Sequence, residues 1–282
     1  MMKMPEKIPG TSEQVREHYL IEKELAARLR NAGKNERMYL YADLYDELYR
    51  RVRHHPQLIQ KSDPEERARA VSHQLTVLRG FLKPDFNFLE VGPGDCALSF
   101  EVAKLVNKVY AIDVSKEITK TSMPVPANFT LQLSDGSSID VPPGSIHIAY
   151  SNQLMEHLHP DDVIDHLENI YHALTQSGVY ICITPNRLSG PYDISCFFDK
   201  ISTGFHLKEY TVSELEIIFK AVGFTKIDVL IGASKKNPLL LHVLPVKMIE
   251  FILRKLPHAL SKFIANHAPV SVFREIRVVA IK

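Results

Sequence analysis

Four polar residues stand where short apolar runs end: Glu90, Asp113, Asp135 and Asn152. The first belongs to Phe88-Leu89-Glu90-Val91-Gly92-Pro93-Gly94-Asp95, an apolar run that enters a glycine turn and then a helical stretch. Gly92 and Gly94 carry no side chain where a ligand must lie against the backbone. Ligands of open α/β sheets bind beyond the carboxyl ends of the strands, where strand order reverses. A dinucleotide site aims amides and a helix N-terminus at a pyrophosphate. Glu90 would repel that group, and the later glycine of G-x-G-x-x-G is missing. A nicotinamide-dependent oxidoreductase is therefore disfavoured. An acid at this place suits a phosphate-free cofactor that carries an ammonium and a sulfonium. Asp113, ending the next run, can accept both hydroxyls of a ribose. Asp135 can accept from an adenine amino group, and Asn152 opens over the same face.

Proton chemistry would fall to histidine. His157 lies just after the fourth run and His206 in the long connection after the fifth, so either could be a general base or could instead fix a loop. Glu156 beside His157 could do the same or help hold a metal ion, but no second carboxylate at a matching spacing supports a metal, and none is expected. The stretch Thr184 to Asp193 is long for a strand-to-helix loop. It is read as part of an acceptor pocket, with Arg187 able to pair with an anionic acceptor. Tyr41, Tyr45 and Tyr49, at steps of four, read first as a helix packing face and second as part of a lid.

The elements that must position these residues follow from periodicity. Three helices precede Pro84. Thr11 and Gln14 form a capping box for the first. The second covers about 35–53 and ends at His55-Pro56. The third starts at Ser62, with Pro64 in its first turn, Glu65 completing a capping box, and Ala68, Val71, Leu75, Leu78 and Leu82 as its stripe. Strands are expected at 86–91, 108–113, 129–133, 146–150, 179–184 and 226–231, with helices between. Pro160-Asp161-Asp162 opens one helix, which Gly178 can close; Thr211 and Glu214 cap another, which stops at Gly223. Two short amphipathic helices, about 245–256 and 257–266, precede a final run, 274–281, that looks like a strand returning to the sheet edge. The fold class is α/β, doubly wound and mostly parallel.

Several pieces together resemble the class I S-adenosylmethionine (SAM)-dependent methyltransferase family, especially its small-molecule branch. They are Glu90-Val91-Gly92-Pro93-Gly94, Ala111-Ile112-Asp113-Val114-Ser115, Ser134-Asp135-Gly136, Ser151-Asn152-Gln153-Leu154-Met155-Glu156-His157-Leu158 and Ala221-Val222-Gly223-Phe224. The resemblance implies a seven-stranded, Rossmann-like sheet whose last strand is antiparallel, and SAM as cofactor with S-adenosylhomocysteine as product. It implies Glu90, Gly92 and Gly94 at the methionine part, Asp113 at the ribose, Asp135 at the adenine edge and Asn152 near the sulfonium, with Pro93, Val114, Ser134, Gly136, Gln153 and Leu154 also at the cofactor. Cys96 stands where many relatives have a third glycine, and His147 where an acid is frequent. Residues 1–84 are expected as a helical lid and 85–282 as the SAM domain, with a helical insertion at 235–270.

Composition limits the partners. The chain has 282 residues and a formal net charge of +1. No strong field draws it to nucleic acid, and aromatic and basic residues do not interleave. Cys96, Cys182 and Cys196 suggest neither a disulfide framework nor a zinc site. The start, Met1 to Pro5, has no apolar signal core and no run is long enough to span a membrane, so a cytoplasmic protein is expected. The insertion pairs Val246, Ile249, Leu253 and Leu256 with Lys247, Arg254, Lys255 and Lys262. It reads as an acceptor cap, a dimer contact or, less favoured, an interfacial membrane helix. The expectation is an enzyme that methylates a small molecule, at a hydroxyl oxygen for preference. The alternatives are a catalytically silent SAM-binding partner protein and a protein methyltransferase.

Overall fold

A computed structural model describes residues 10–136, 138–232, 239–268 and 271–282. Met1 to Pro5, and residues 235–238 and 269–270 of the expected insertion, lie outside the described residues. Four helices open the chain: α1 (Ser12–Asn31), α2 (Lys34–Arg51), α3 (Pro56–Ser62) and α4 (Pro64–Leu78). The capping box of Thr11 and Gln14 is formed. α2 ends at Arg51, before the expected stop at His55-Pro56. That pair has another role. It begins α3, with Pro56 in the first turn, where a missing N–H has no helical partner to lose. Ser62 is the last residue of α3, so α4 is capped by Asp63, whose carboxylate accepts from the amides of Glu65 and Glu66.

The sheet follows: β1 (Asn87–Val91), α5 (Ala97–Val102), β2 (Lys108–Asp113), α6 (Lys116–Thr119), β3 (Phe129–Leu133), β4 (Ile146–Asn152), α7 (Val163–Ala173), β5 (Leu174–Pro185), α8 (Val212–Val222) and β6 (Lys226–Ile231). After these come β7 (Leu239–His242), α9 (Val243–Leu253), α10 (His258–His267) and β8 (Glu275–Ile281). The strand order is β3-β2-β1-β4-β5-β8-β6-β7. β1 to β5 pair in parallel, and β8 is antiparallel to both β5 and β6.

Three expectations are corrected here. The sheet has eight strands, because the insertion begins with β7, an antiparallel partner of β6. The last strand does not return to an edge. It runs between β5 and β6, covered on both sides, which is why Ile276 to Ala280 is uninterrupted except at Arg277. Gly178 does not close α7, which ends at Ala173; the fully buried Leu174 starts β5 opposite Ile146 instead.

Alternation along the strands divides the core. Leu89, Ile146 and Ala149 pack toward α7 and α8 through Leu167, Ile170 and Phe219. Phe88, Val109 and Ile148 face the other way, onto Val71 and Leu75 of α4 and Leu98 of α5. A third cluster joins α1 and α2 through Leu25, Leu29, Leu44 and Leu48, and takes in Phe205 from the connection after β5. Each of those leucines contributes roughly 1.5–3 kcal/mol by burial. α1 and α2 are therefore packed as a layer of their own, while α4 lies on a face of the sheet.

Candidate functional site

The order of strands reverses between β1 and β4, with β2 and β3 on one side and β5 onward on the other. At that place a cavity of about 120 Å³ opens. Gly92, Gly94, Asp113, Val114, Ser134, Gly136, Asn152, Gln153 and Leu154 line it from the sheet. Tyr41, Tyr45 and Tyr49 close it from α2, and His157 and His166 from beyond β4. A second groove, about 310 Å³, adjoins it across Gly92 and Gly94 and is lined by Glu90, Pro93 and Asp95 with Gln57, Lys61 and Arg67 of the N-terminal helices. The predicted strand-end residues thus converge on one place, with Asp135 the exception.

The turn after β1 explains its own composition. Gly92 has φ +73°, and a β-carbon there would stand 3.2 Å from Leu154. Cys96 has φ +62°, a left-handed conformation that costs a non-glycine residue about 1 kcal/mol or more. That is the physical reason a third glycine is favoured here, and this chain tolerates the strain with a buried thiol.

Glu90 is buried and accepts from the Ser99 hydroxyl at 2.5 Å. Burial, with Asp95 and Asp113 nearby, pushes its carboxyl up to about 7. Asp113 accepts from the amides of Gly94 at 3.1 Å and Ser115 at 2.9 Å, which fastens the glycine turn to the end of β2. Burial raises Asp113 to about 6 against the effect of those bonds. Two buried carboxyls held above their ordinary range define a site that gains from a cation. Gln153 adds to this: its Oε1 is buried and has no partner among the described residues. An acidic pair, an unsatisfied acceptor and a glycine turn fit the ammonium and ribose of SAM.

Asp135 takes another course. Its carboxylate accepts from the amide and hydroxyl of Ser138, each at 2.8 Å, so it shapes its own loop, and Ser138 lines the cavity beside Gly136. A β-carbon on Gly136 would meet the Tyr41 ring at 2.7 Å, so this glycine admits α2 to the site.

The two histidines separate in role. His157 lines the cavity, while His206 stands behind it, with ring centroids 4.9 Å apart. His206 Nδ1 lies 2.8 Å from Glu209 Oε1, and the ring is 7% exposed. Although burial opposes charge, the Glu209 and Asp193 carboxylates hold its pKa up at about 9. His157 shows the reverse: burial and the neighbouring His206 depress it to about 3. His157 Nδ1 is 3.0 Å from the Phe205 carbonyl, which can only accept, so Nδ1 carries the proton and Nε2 keeps a lone pair. Glu156 is fully buried, pushed up to about 7 by burial, and accepts from the Thr184 hydroxyl at 2.8 Å.

Among the described residues two groups each bring three side chains of metal-ligating type within 4.8 Å: Glu156 with His157 and His206, and His18 with Glu22 and His55. Each is knit by protein hydrogen bonds, His206 to Glu209 and His18 to Glu22 at 2.7 Å.

The loop from Thr184 to Asp193 does not line the cavity. It packs inward, where Asn186 and Ser189 donate to the carbonyls of Val272 and Phe273. Arg187 pairs with Glu214 of α8 at 3.1 Å and faces a different groove. The tyrosine stripe does what was ranked second: its rings form the cavity wall. Tyr45 stacks on Phe205 with centroids 4.8 Å apart and meets His157 edge-on. Tyr41 donates to Asp162, which is gripped by Arg37 at 2.6 and 2.8 Å. Ser115, donating to Asp46 of α2 at 2.6 Å, and Gln57, accepting from Tyr49, complete the junction. Step-of-four tyrosines were the available signal for this wall; Gln57 and Asp46 carried none.

Residues 88–178 match the family model of a methyltransferase domain. Over that stretch, about a third of the chain, the sequence is similar to a methyltransferase domain. Solved structures share its fold. A SAM-dependent methyltransferase from Archaeoglobus fulgidus is 16% identical with a TM-score of 0.53, over 76% of this chain and 94% of its own. A Haemonchus contortus phosphoethanolamine N-methyltransferase 2, bound to phosphomonomethylethanolamine and S-adenosylhomocysteine, is 17% identical with a TM-score of 0.50. That similarity covers 75% of this chain but 52% of the worm enzyme, so the chain spans about half its length. A putative methyltransferase from Haloferax volcanii, in complex with the Trm112 activator, has a TM-score of 0.50 at 13% identity, over 80% of this chain and 97% of that one. No curated protein matches the chain in sequence. The matched residues run from β1 through β4 and α7 to the start of β5, so the N-terminal helices and the β7–α10 segment lie outside the match.

Proposed function

We propose that this protein transfers a methyl group from SAM to a hydroxyl oxygen of a small molecule, with residues 1–84 acting as a lid over cofactor and acceptor. The observation that carries the reading is the placement of His157, neutral and with a free Nε2, on the same cavity wall as the strand-end polar residues. SAM, when bound, supplies an electrophilic methyl on a sulfonium. Asp113 would hold its ribose, Glu90 and Gln153 its ammonium side, and Asn152 and Leu154 would border the reacting end. Tyr41, Tyr45 and Tyr49 would exclude water and give the acceptor an apolar wall. A hydroxyl becomes strongly acidic as its oxygen is alkylated. A weak base therefore suffices, and His157 Nε2 takes the proton. His206, protonated and tied to Glu209, is a positioning residue: it orients the His157 ring and keeps it uncharged. An amine acceptor needs no such base in the transfer step, so substitution of His157 separates the two chemistries.

The test is calorimetric titration with SAM, S-adenosylhomocysteine and NADH, beside Asp113→Ala. Two charge-assisted hydrogen bonds to a ribose correspond to roughly a hundredfold or more in affinity. Binding of the first two ligands, lost in the variant, supports the reading. A folded protein that binds neither overturns it.

A further inference from the structure

The outer surface of the insertion is built unlike the rest of the molecule. On α9, Val243, Val246, Glu250 and Leu253 face inward. The opposite stripe is Leu244, Met248, Phe251 and Ile252, and these are 55 to 62% exposed. A helix resting on a protein surface ordinarily turns polar residues outward; one apolar all round is covered on both sides. α10, packed against α9, repeats the pattern with Leu260, Phe263 and Ile264 exposed. The edge strand β7, immediately before them, exposes Leu239 and Leu240. With Ile249 beside the α9 stripe, these three consecutive elements present ten large apolar side chains to solvent, an arrangement that marks an interaction site.

Charge tells what covers it. From Leu239 to Ala268 the sequence has one acid, Glu250. That residue is fully buried and accepts from the amides of Val212 and Ser213. The margin of the face carries Arg254, Lys255 and Lys262, and Lys255 lies 4.1 Å from the centre of the Phe251 ring, its ammonium beside the apolar stripe. Next to the face a groove of about 450 Å³ is lined by Lys200, Lys208 and Arg254, with Leu253, Leu256, the buried Glu209 and Arg187, which is paired with Glu214. An apolar plane edged by cations, free of exposed acids and flanked by a basic groove, complements acyl chains beneath phosphate groups. A self-complementary dimer face would need acids to meet those cations, and this face has none. No helix among the described residues is long and apolar enough to cross a membrane, so contact would be with one leaflet surface.

We propose that β7, α9 and α10 dock this protein on an anionic phospholipid membrane. The apolar stripe enters the headgroup boundary and the basic margin takes the lipid phosphates. Docking is a property of this face alone and does not rest on the reaction.

The experiment is co-sedimentation of the full chain with vesicles of phosphatidylcholine alone and of phosphatidylcholine mixed with phosphatidylglycerol. Binding is expected to the mixed vesicles, weakening as salt is added. Phe251→Glu with Ile252→Glu should abolish it while the thermal unfolding transition is kept. Arg254→Gln and Lys255→Gln should each lower affinity about fivefold. Should the paired glutamates unfold the protein, Phe251→Ser alone, at an exposed position, serves as the second variant. Failure to bind the mixed vesicles, equal binding to both compositions, or undiminished binding by the variants overturns the proposal. So does light scattering that finds a dimer, abolished by the same substitutions, in a protein that ignores vesicles.

Discussion

The wall of the cavity that comes from the sheet is held by backbone, whereas the wall that comes from the N-terminal helices is held by side chains reaching across long sequence separations. On the sheet side, Asp113 binds the amides of Gly94 and Ser115, and Ser134 donates its amide to the Asp113 carbonyl at 2.8 Å. These contacts join the ends of neighbouring parallel strands to the turns that follow them. On the helical side, Arg37 and Tyr41 reach Asp162, Asp46 reaches Ser115, and Arg30 donates to the carbonyls of Thr203 and Gly204. Each of those pairs joins residues far apart in sequence. On the proposed function, the sheet wall would hold the cofactor and the helical wall would select the acceptor.

The two walls should respond differently to substitution. The largest effect is expected at their meeting point. His157→Ala should lower kcat by about 10²–10⁴-fold for a hydroxyl acceptor, with SAM affinity little changed. His206→Gln should cost less and should raise the pKa seen in the rate profile, because it removes the cation that helps keep His157 neutral. A rate indifferent to His157 would remove the base from the mechanism. Next is Arg37→Met, which strands Asp162 beneath the lid. Loss of one partner of a buried pair costs about 3 kcal/mol, measurable by urea unfolding. Acceptor KM should rise more than SAM Kd.

The sheet wall should show itself through pH. Glu90 is held at about 7, above its ordinary value of 4.5. A raised carboxyl stabilises the folded form fully below the unfolded value, and that contribution is lost as pH rises through about 7. The cofactor-free protein should therefore lose stability between about pH 4.5 and 7, while SAM affinity rises over the same window as Glu90 ionises. Glu90→Gln should stabilise the cofactor-free protein at pH 8 by on the order of 1–3 kcal/mol and flatten both dependences. A pH-independent SAM Kd in the native protein would show that Glu90 does not meet the ammonium. The smallest effect is expected at Cys96→Gly. Relief of left-handed strain, about 1 kcal/mol, is offset by the loss of a buried thiol. Tm should barely move.

Much of the sheet wall was legible because local sequence decides it. Glu90, Gly92, Gly94, Asp113 and Asn152 sit at the ends of apolar runs, and a run that ends in a turn at a sheet's carboxyl edge has few places to go. The capping boxes of Thr11–Gln14 and Thr211–Glu214 were equally local and form as expected. Asp135 was placed in the right loop, and its bonds to Ser138 follow from the readiness of an aspartate before glycine to bond its own turn.

What the sequence by itself determined is the doubly wound core and the strand-end polar residues, because period-two burial and turn chemistry act over a few residues. Tertiary structure alone decided that the last strand enters between β5 and β6, that the tyrosines of α2 face the cavity, and that Arg187 leaves it for Glu214. It also decided that His206 is charged and His157 is not. The reason is physical: a pKa or a contact of this kind depends on which charges are brought near in the absence of water, and Glu209, Asp193 and Phe205 reach these histidines only when the chain has closed around them.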